Sequence, residues 1–89
     1  MVLTGIELNK LEKITEHSPS QWVGYTKDKN IVYIRYRHGM LYVGIGKKIK
    51  EAIENIVLEK AIGDNSYMDT KTMLNITGLV VINKEGRAI

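Results

Sequence analysis

Ile31-Val32-Tyr33-Ile34-Arg35-Tyr36-Arg37-His38-Gly39-Met40-Leu41-Tyr42-Val43-Gly44-Ile45 decides how the rest of this 89-residue chain is read. β-Branched and aromatic residues fill both arms, and His38-Gly39 interrupts them with two residues that tolerate positive φ. A two-residue hairpin turn there fixes the pairing: Arg37 opposite Met40, Tyr36 opposite Leu41, Arg35 opposite Tyr42 and Ile34 opposite Val43. Strand alternation then separates two faces. Val32, Ile34 and Tyr36 join Leu41, Val43 and Ile45 on one, the core face; Tyr33, Arg35 and Arg37 join Met40, Tyr42 and Gly44 on the other.

Upstream, Gln21 to Thr26 supplies another strand, with Ile31 to Arg37 and Leu41 to Ile45 completing a three-stranded antiparallel meander. Counting Lys27-Asp28-Lys29-Asn30 as a four-residue turn puts Val23 and Tyr25 on the core side and Trp22 beside Arg35 on the open side. A row of Trp22, Arg35 and Tyr42 follows, in which a guanidinium lies over aromatic rings. Leu8, Leu11 and Ile14 recur at helical spacing, which predicts a helix from Glu7 to His17 ended by Ser18-Pro19-Ser20.

Downstream, Ile49, Ala52, Ile53, Ile56 and Val57 form one stripe, predicting a helix from Lys47 to Ile62 with Gly63 as C-cap, lying over the core face. Asp69 caps a short helical turn through Met73 and Leu74. Leu79 to Ile82 is a short apolar strand, followed by a turn at Lys84-Glu85-Gly86 and a last strand at Arg87-Ala88-Ile89. The expected fold class is α+β: the meander packed by one or two helices, with a short C-terminal β-hairpin.

A single proline and no Pro/Gly/Ser-rich break give one domain over residues 1–89. Hydrophobic residues at 44% and charged residues at 26% match a globular chain. At this size, assembly into a homodimer is a common way to gain stability. The absence of cysteine removes disulfides, thiolate zinc sites and cysteine nucleophiles, and fits a reducing compartment. The first residues lack a signal peptide's basic and apolar regions, and no apolar run reaches membrane-spanning length, so the expectation is a cytoplasmic protein without a membrane partner.

Nothing in the sequence supplies an enzyme's machinery. Glu16-His17-Ser18 are neighbours that diverge at a helix end, not a triad. His17 and His38 lie at no metal-ligand spacing, and Asp64, Asn65, Ser66 and Asp69 lack the calcium-loop pattern; no cofactor is implied. Gly44-Ile45-Gly46-Lys47-Lys48 has free N–H groups and ammonium groups suited to phosphate, although glycines at a tight strand-to-helix turn explain it equally well. Net charge is +3, and Lys27, Lys29, Arg35, Arg37, Lys47, Lys48 and Lys50 concentrate it mid-chain.

Two readings of the open face stand side by side. Arginine and tyrosine make ordinary cross-strand pairs on a solvated or covered sheet; alternatively, Trp22, Tyr33, Arg35, Arg37 and Tyr42 form a stacking platform for nucleic acid, with Lys47 and Lys48 at phosphates. Ser18-Pro19-Ser20-Gln21-Trp22-Val23-Gly24-Tyr25, Ile31-Val32-Tyr33-Ile34-Arg35-Tyr36 and His38-Gly39-Met40-Leu41-Tyr42 together resemble the KTSC domain, a family named for its occurrence at the C-terminus of some lysyl-tRNA synthetases. The resemblance spans about half the chain and implies a small non-enzymatic domain with an RNA-binding role. Of the family's central tyrosine pair only Tyr42 is matched, since Gly44 occupies the second place. The leading expectation is therefore an RNA-binding module. The alternatives are a phage or mobile-element type of inhibitor that blocks a host protein through the same surface, and a dimer that sequesters a small nucleotide.

Overall fold

In the computed structural model, which describes residues 6–15, 19–63 and 65–82, the chain runs through eight elements. These are β1 (Glu7–Thr15), β2 (Ser20–Thr26), β3 (Ile31–Arg37), β4 (Met40–Gly46), α1 (Ile49–Glu54), β5 (Ile56–Ala61), α2 (Thr70–Thr77) and β6 (Val80–Val81). The strands form one mixed half-barrel sheet in the order β5-β4-β3-β2-β1-β6. Strands β1 to β5 are antiparallel to their neighbours, and β6 lies parallel to β1. The expected three-stranded meander with a C-terminal hairpin is thus corrected to six strands, with two helices on opposite faces.

The β3–β4 hairpin forms in the predicted register, because His38 and Gly39 both take positive φ, 51° and 78°. The β2–β3 turn does not. Lys29 enters the left-handed region at φ 66°, its N–H donates to the Thr26 carbonyl at 3.0 Å, and the Thr26 N–H donates to the Asn30 carbonyl at 3.0 Å. The loop therefore holds three residues, Lys27 to Lys29, and Tyr25 pairs with Ile31. One residue fewer in the loop turns every side chain of β2 to the other face. Trp22 pairs with Ile34 and enters the core, fully buried, while Val23 moves to the opposite face beside Tyr33.

The first predicted helix is a strand. β1 carries irregularities between Leu8 and Lys10 and between Lys13 and Thr15. An extra residue at Asn9 resets the alternation, so Leu8 faces inward opposite Thr26 and Leu11 faces inward opposite Gly24. A bulge thus gives a strand the three-residue spacing of a helix. The second predicted helix ends early as well, since only Ile49–Glu54 is helical. Asn55 then binds β4 twice, donating from Nδ2 to the Ile45 carbonyl at 2.9 Å and accepting the Ile45 N–H at 3.2 Å. The β-branched pair Ile56-Val57 continues as strand β5.

The core face is covered by α2, not by α1. Leu8, Trp22, Ile34, Leu41, Val43 and Leu58 on the sheet meet Met68, Met73 and Leu79 from the crossover between β5 and β6. Each large side chain so buried is worth about 1.5–3 kcal/mol of transfer free energy. Asp69 caps α2 by accepting from the Thr72 N–H at 3.2 Å, and Gly78, at φ 81°, closes it with its N–H on the Leu74 carbonyl. The helical turn predicted from Asp69 runs further than expected, to Thr77. The apolar strand expected at Leu79 to Ile82 shortens to β6 and pairs with β1. The turn and strand expected at residues 84–89 lie outside the described residues.

Helix α1 lies on the other face, where Ala52 is buried with Val23 and Tyr33. Gly44 and Gly46 make this approach possible. A Cβ on Gly44 would overlap the Ala52 carbonyl, and one on Gly46 would come within 2.6 Å of Glu51 Cβ.

Candidate nucleic-acid interface

Helix α1 divides the face on which the expected platform lay. It closes the end holding Val23, Ile31, Tyr33 and Gly44, and does not reach the end toward the His38–Gly39 turn, where among the described residues Arg37 is exposed and Gln21, Arg35, Met40 and Tyr42 are half-buried. On this uncovered half Arg35 and Tyr42 are cross-strand partners, and the Arg35 Cζ lies 5.2 Å from the centroid of the Tyr42 ring. That separation is a cation–π contact, worth about 0.5–1 kcal/mol at an exposed site and more when desolvated. Arg37 is exposed two residues further along β3, about 7 Å away. Glu59 of β5 pairs with Tyr42 from the other side and marks the acidic border of the patch.

Arg35 holds a second feature. Its Nε is buried and has no hydrogen-bond partner among the described residues. A buried donor left unpaired costs about 1–3 kcal/mol, and an acceptor brought within reach recovers it. Gln21, opposite Arg35, does not fill this role through its Oε1, which accepts from the Tyr33 hydroxyl at 2.9 Å. Burial pushes the Tyr33 phenol above its ordinary pKa, and the Arg35 charge opposes that rise. Tyr33 is therefore a neutral donor, 9% exposed and held under α1.

Trp22 is absent from this surface. It is fully buried on the core face, and its indole N–H donates to Thr70 Oγ1 of α2 at 2.9 Å. Lys13 reaches over the same ring at 5.4 Å and over Tyr67 at 4.6 Å, and donates to the Met68 carbonyl. The predicted row of Trp22, Arg35 and Tyr42 is thus cut to Arg35 and Tyr42 by the three-residue turn.

Lys47 and Lys48 are exposed, but they follow the far end of β4, roughly 15 Å along the strand from Tyr42 and beyond α1. The Lys47 N–H donates to Glu51 Oε1 at 3.1 Å, and Gly44 and Gly46 serve the packing of α1, so the expected phosphate-type loop is accounted for by the chain's own helix. Lys27 and Lys29 belong to the same end, because Ile31 pairs with Gly46. A cavity of about 280 Å³ there is lined by Glu7, Lys27, Asp28 and Asn30 over Ile6 and Ile45, and its two carboxylates offset the lysine.

Sequence reasoning missed Gln21 and Glu59 as neighbours of the pair; the first depended on the β2 register and the second on recognising β5 as a strand. Among the described residues, no group of three His, Cys, Asp or Glu could hold a metal ion. No helix of the described residues is long and apolar enough to cross a membrane. No known protein family, curated protein or solved structure matches the chain.

Proposed function

We propose that the chain is a non-catalytic binding module that holds single-stranded RNA on the uncovered half of the sheet face. Tyr42 and the Arg35 guanidinium provide the stacking surface, and Arg37 faces a phosphate. The observation that carries this reading is the Arg35–Tyr42 stack at 5.2 Å, placed where α1 leaves the sheet free. Every base has a π-face, and stacking on such a surface is worth about 1–3 kcal/mol per base. The resemblance to the KTSC domain carries over to this surface at Tyr42 alone. Lys47 and Lys48, with Lys27 and Lys29, contact only a strand long enough to continue past α1.

The test is a fluorescence-anisotropy titration with short single-stranded RNA at increasing salt. Affinity falls steeply as salt rises. Arg35→Ala and Tyr42→Ala each weaken binding by about fivefold or more, the lower end of the stacking contribution. Lys47→Ala with Lys48→Ala weakens long RNA more than short RNA. Absent binding, a salt-insensitive signal, or affinity untouched by both Arg35→Ala and Tyr42→Ala overturns the proposal.

A further inference from the structure

Gln21, Arg35, Tyr42 and Glu59 stand in one row across the sheet, each the cross-strand partner of the next, on the face that carries α1 and beyond its reach. Neighbouring strands lie about 4.8 Å apart, so the row measures about 14 Å from β2 to β5. The Arg35–Tyr42 stack is its middle, and Gln21 and Glu59 are its flanks. A base lying on the stack turns one edge toward an amide and another toward a carboxylate.

The two flanks have opposite hydrogen-bonding capacity. Gln21 Oε1 is engaged by the Tyr33 hydroxyl at 2.9 Å, so the group Gln21 has left for a ligand is its NH2, a donor. Glu59 is exposed, and the ion pair among the described residues joins Lys10 to Glu12 instead, so both Glu59 oxygens are open acceptors. Guanine meets both demands: N1–H and N2–H2 are adjacent donors that match the two oxygens of a carboxylate, and O6 and N7 are acceptors on another edge. Uracil offers a carboxylate one N–H set between two carbonyls that it repels. Adenine pairs with a glutamine through N6 and N7 together, which needs the oxygen that Tyr33 engages. Cytosine offers a carboxylate its N4 amino group alone.

A carboxylate beside a site for a polyanion has one other role open to it. Strand β5 is an edge of the sheet, and a charged side chain there guards against pairing with another chain. In that role Glu59 lowers affinity for every RNA alike, through repulsion of phosphate. As a reader of bases it lowers affinity only for RNA without donors at that place. The sign of the change on removing Glu59 therefore separates the two roles.

Resting on the RNA reading of this surface, we infer that the row selects guanine, with N1–H and N2–H2 on the Glu59 carboxylate and O6 or N7 toward the Gln21 amide. The experiment is an anisotropy titration of the full chain at one fixed salt concentration. Its probes are oligouridine pentanucleotides carrying guanosine, inosine, adenosine, cytidine or uridine at the centre. The guanosine form binds about fivefold or more tighter than the uridine form, the lower end of a good bidentate contact. Inosine, which lacks the N2 amino group, falls between them. In Glu59→Ala, whose fold is confirmed by a melting curve, the guanosine form binds more weakly than to the unaltered chain, while the uridine form binds as well or better. Guanosine and inosine then become equal. Equal binding of the guanosine, inosine and uridine forms by the unaltered chain, or a preference for another base, overturns the inference and leaves the RNA site standing. So does Glu59→Ala strengthening the guanosine and uridine forms alike, as edge guarding alone requires. If none of the oligonucleotides binds, the RNA reading itself falls, and the inference with it.

Discussion

Replacing Thr70 with valine tests the register on which the whole site depends. Thr70 Oγ1 accepts the indole N–H of Trp22 at 2.9 Å, and Trp22 is the chain's single tryptophan and fully buried. Valine keeps the size and branching of threonine but removes the acceptor, so the indole N–H is left buried and unpaired. That costs about 1–3 kcal/mol. A chain of this length has a total stability of about 4–13 kcal/mol, so the change is large enough to move a urea midpoint visibly. In a Trp22→Phe background the donor is already gone, and Thr70→Val then costs close to nothing. The double-mutant cycle returns a coupling of about 1–2 kcal/mol. Unfolding is followed by circular dichroism for all four proteins. Tryptophan emission of the unaltered chain is that of a buried indole, poorly quenched by iodide and unchanged when RNA binds. Additive costs, or a tryptophan readily quenched in the folded state, refute the three-residue turn and return Trp22 to the open face.

Gly44→Ala places a Cβ on the Ala52 carbonyl, and relief requires α1 to lift from the sheet; overpacking of this kind costs about 1–3 kcal/mol. Gly63→Ala meets only the Tyr36 hydroxyl at 3.3 Å and serves as the control, so equal urea midpoints for the two variants would contradict the seating of α1. Asp69 responds to acid. The Thr72 hydroxyl, followed by the Thr72 N–H, holds its carboxyl below the unperturbed 3.8, so its stabilising effect is complete above that value and disappears as pH falls through the lower folded one. Melting temperature against pH should therefore fall more for the unaltered chain than for Asp69→Asn on the acid side; parallel curves would remove the cap.

The hairpin at His38-Gly39 was legible because its turn chemistry leaves one choice: two consecutive residues at positive φ give one loop length and one register. The turn at Lys27 to Asn30 offered no such constraint. Nothing in lysine marks residue 29 for the left-handed conformation, and one residue of loop length decides which side of β2 is buried. In β1 the signal misled for a different reason. A helix and a bulged strand both repeat apolar residues three apart, and only the neighbouring strand shows which is present. From Ile49 to Val57 the apolar pattern continues through two elements, and Asn55 breaks it by hydrogen bonds to Ile45 that depend on tertiary contact. The pair Arg35–Tyr42 was legible, since it followed from the hairpin register alone; the fate of Trp22 was not, since it turned on one residue of the β2–β3 loop, and neither was that of Tyr33, since it depended on which face α1 covers.

What remains uncovered on the sheet bounds what it can hold. Between α1 and the His38–Gly39 turn the free surface spans the stretch from Arg35 to Arg37 on one strand and from Met40 to Tyr42 on the other, about 7 Å along each. Such a patch accommodates one or two stacked bases, not an extended strand. At about 1–3 kcal/mol for each base, the proposed RNA site is a weak one, and added phosphates would reach Lys47 and Lys48 only by passing α1.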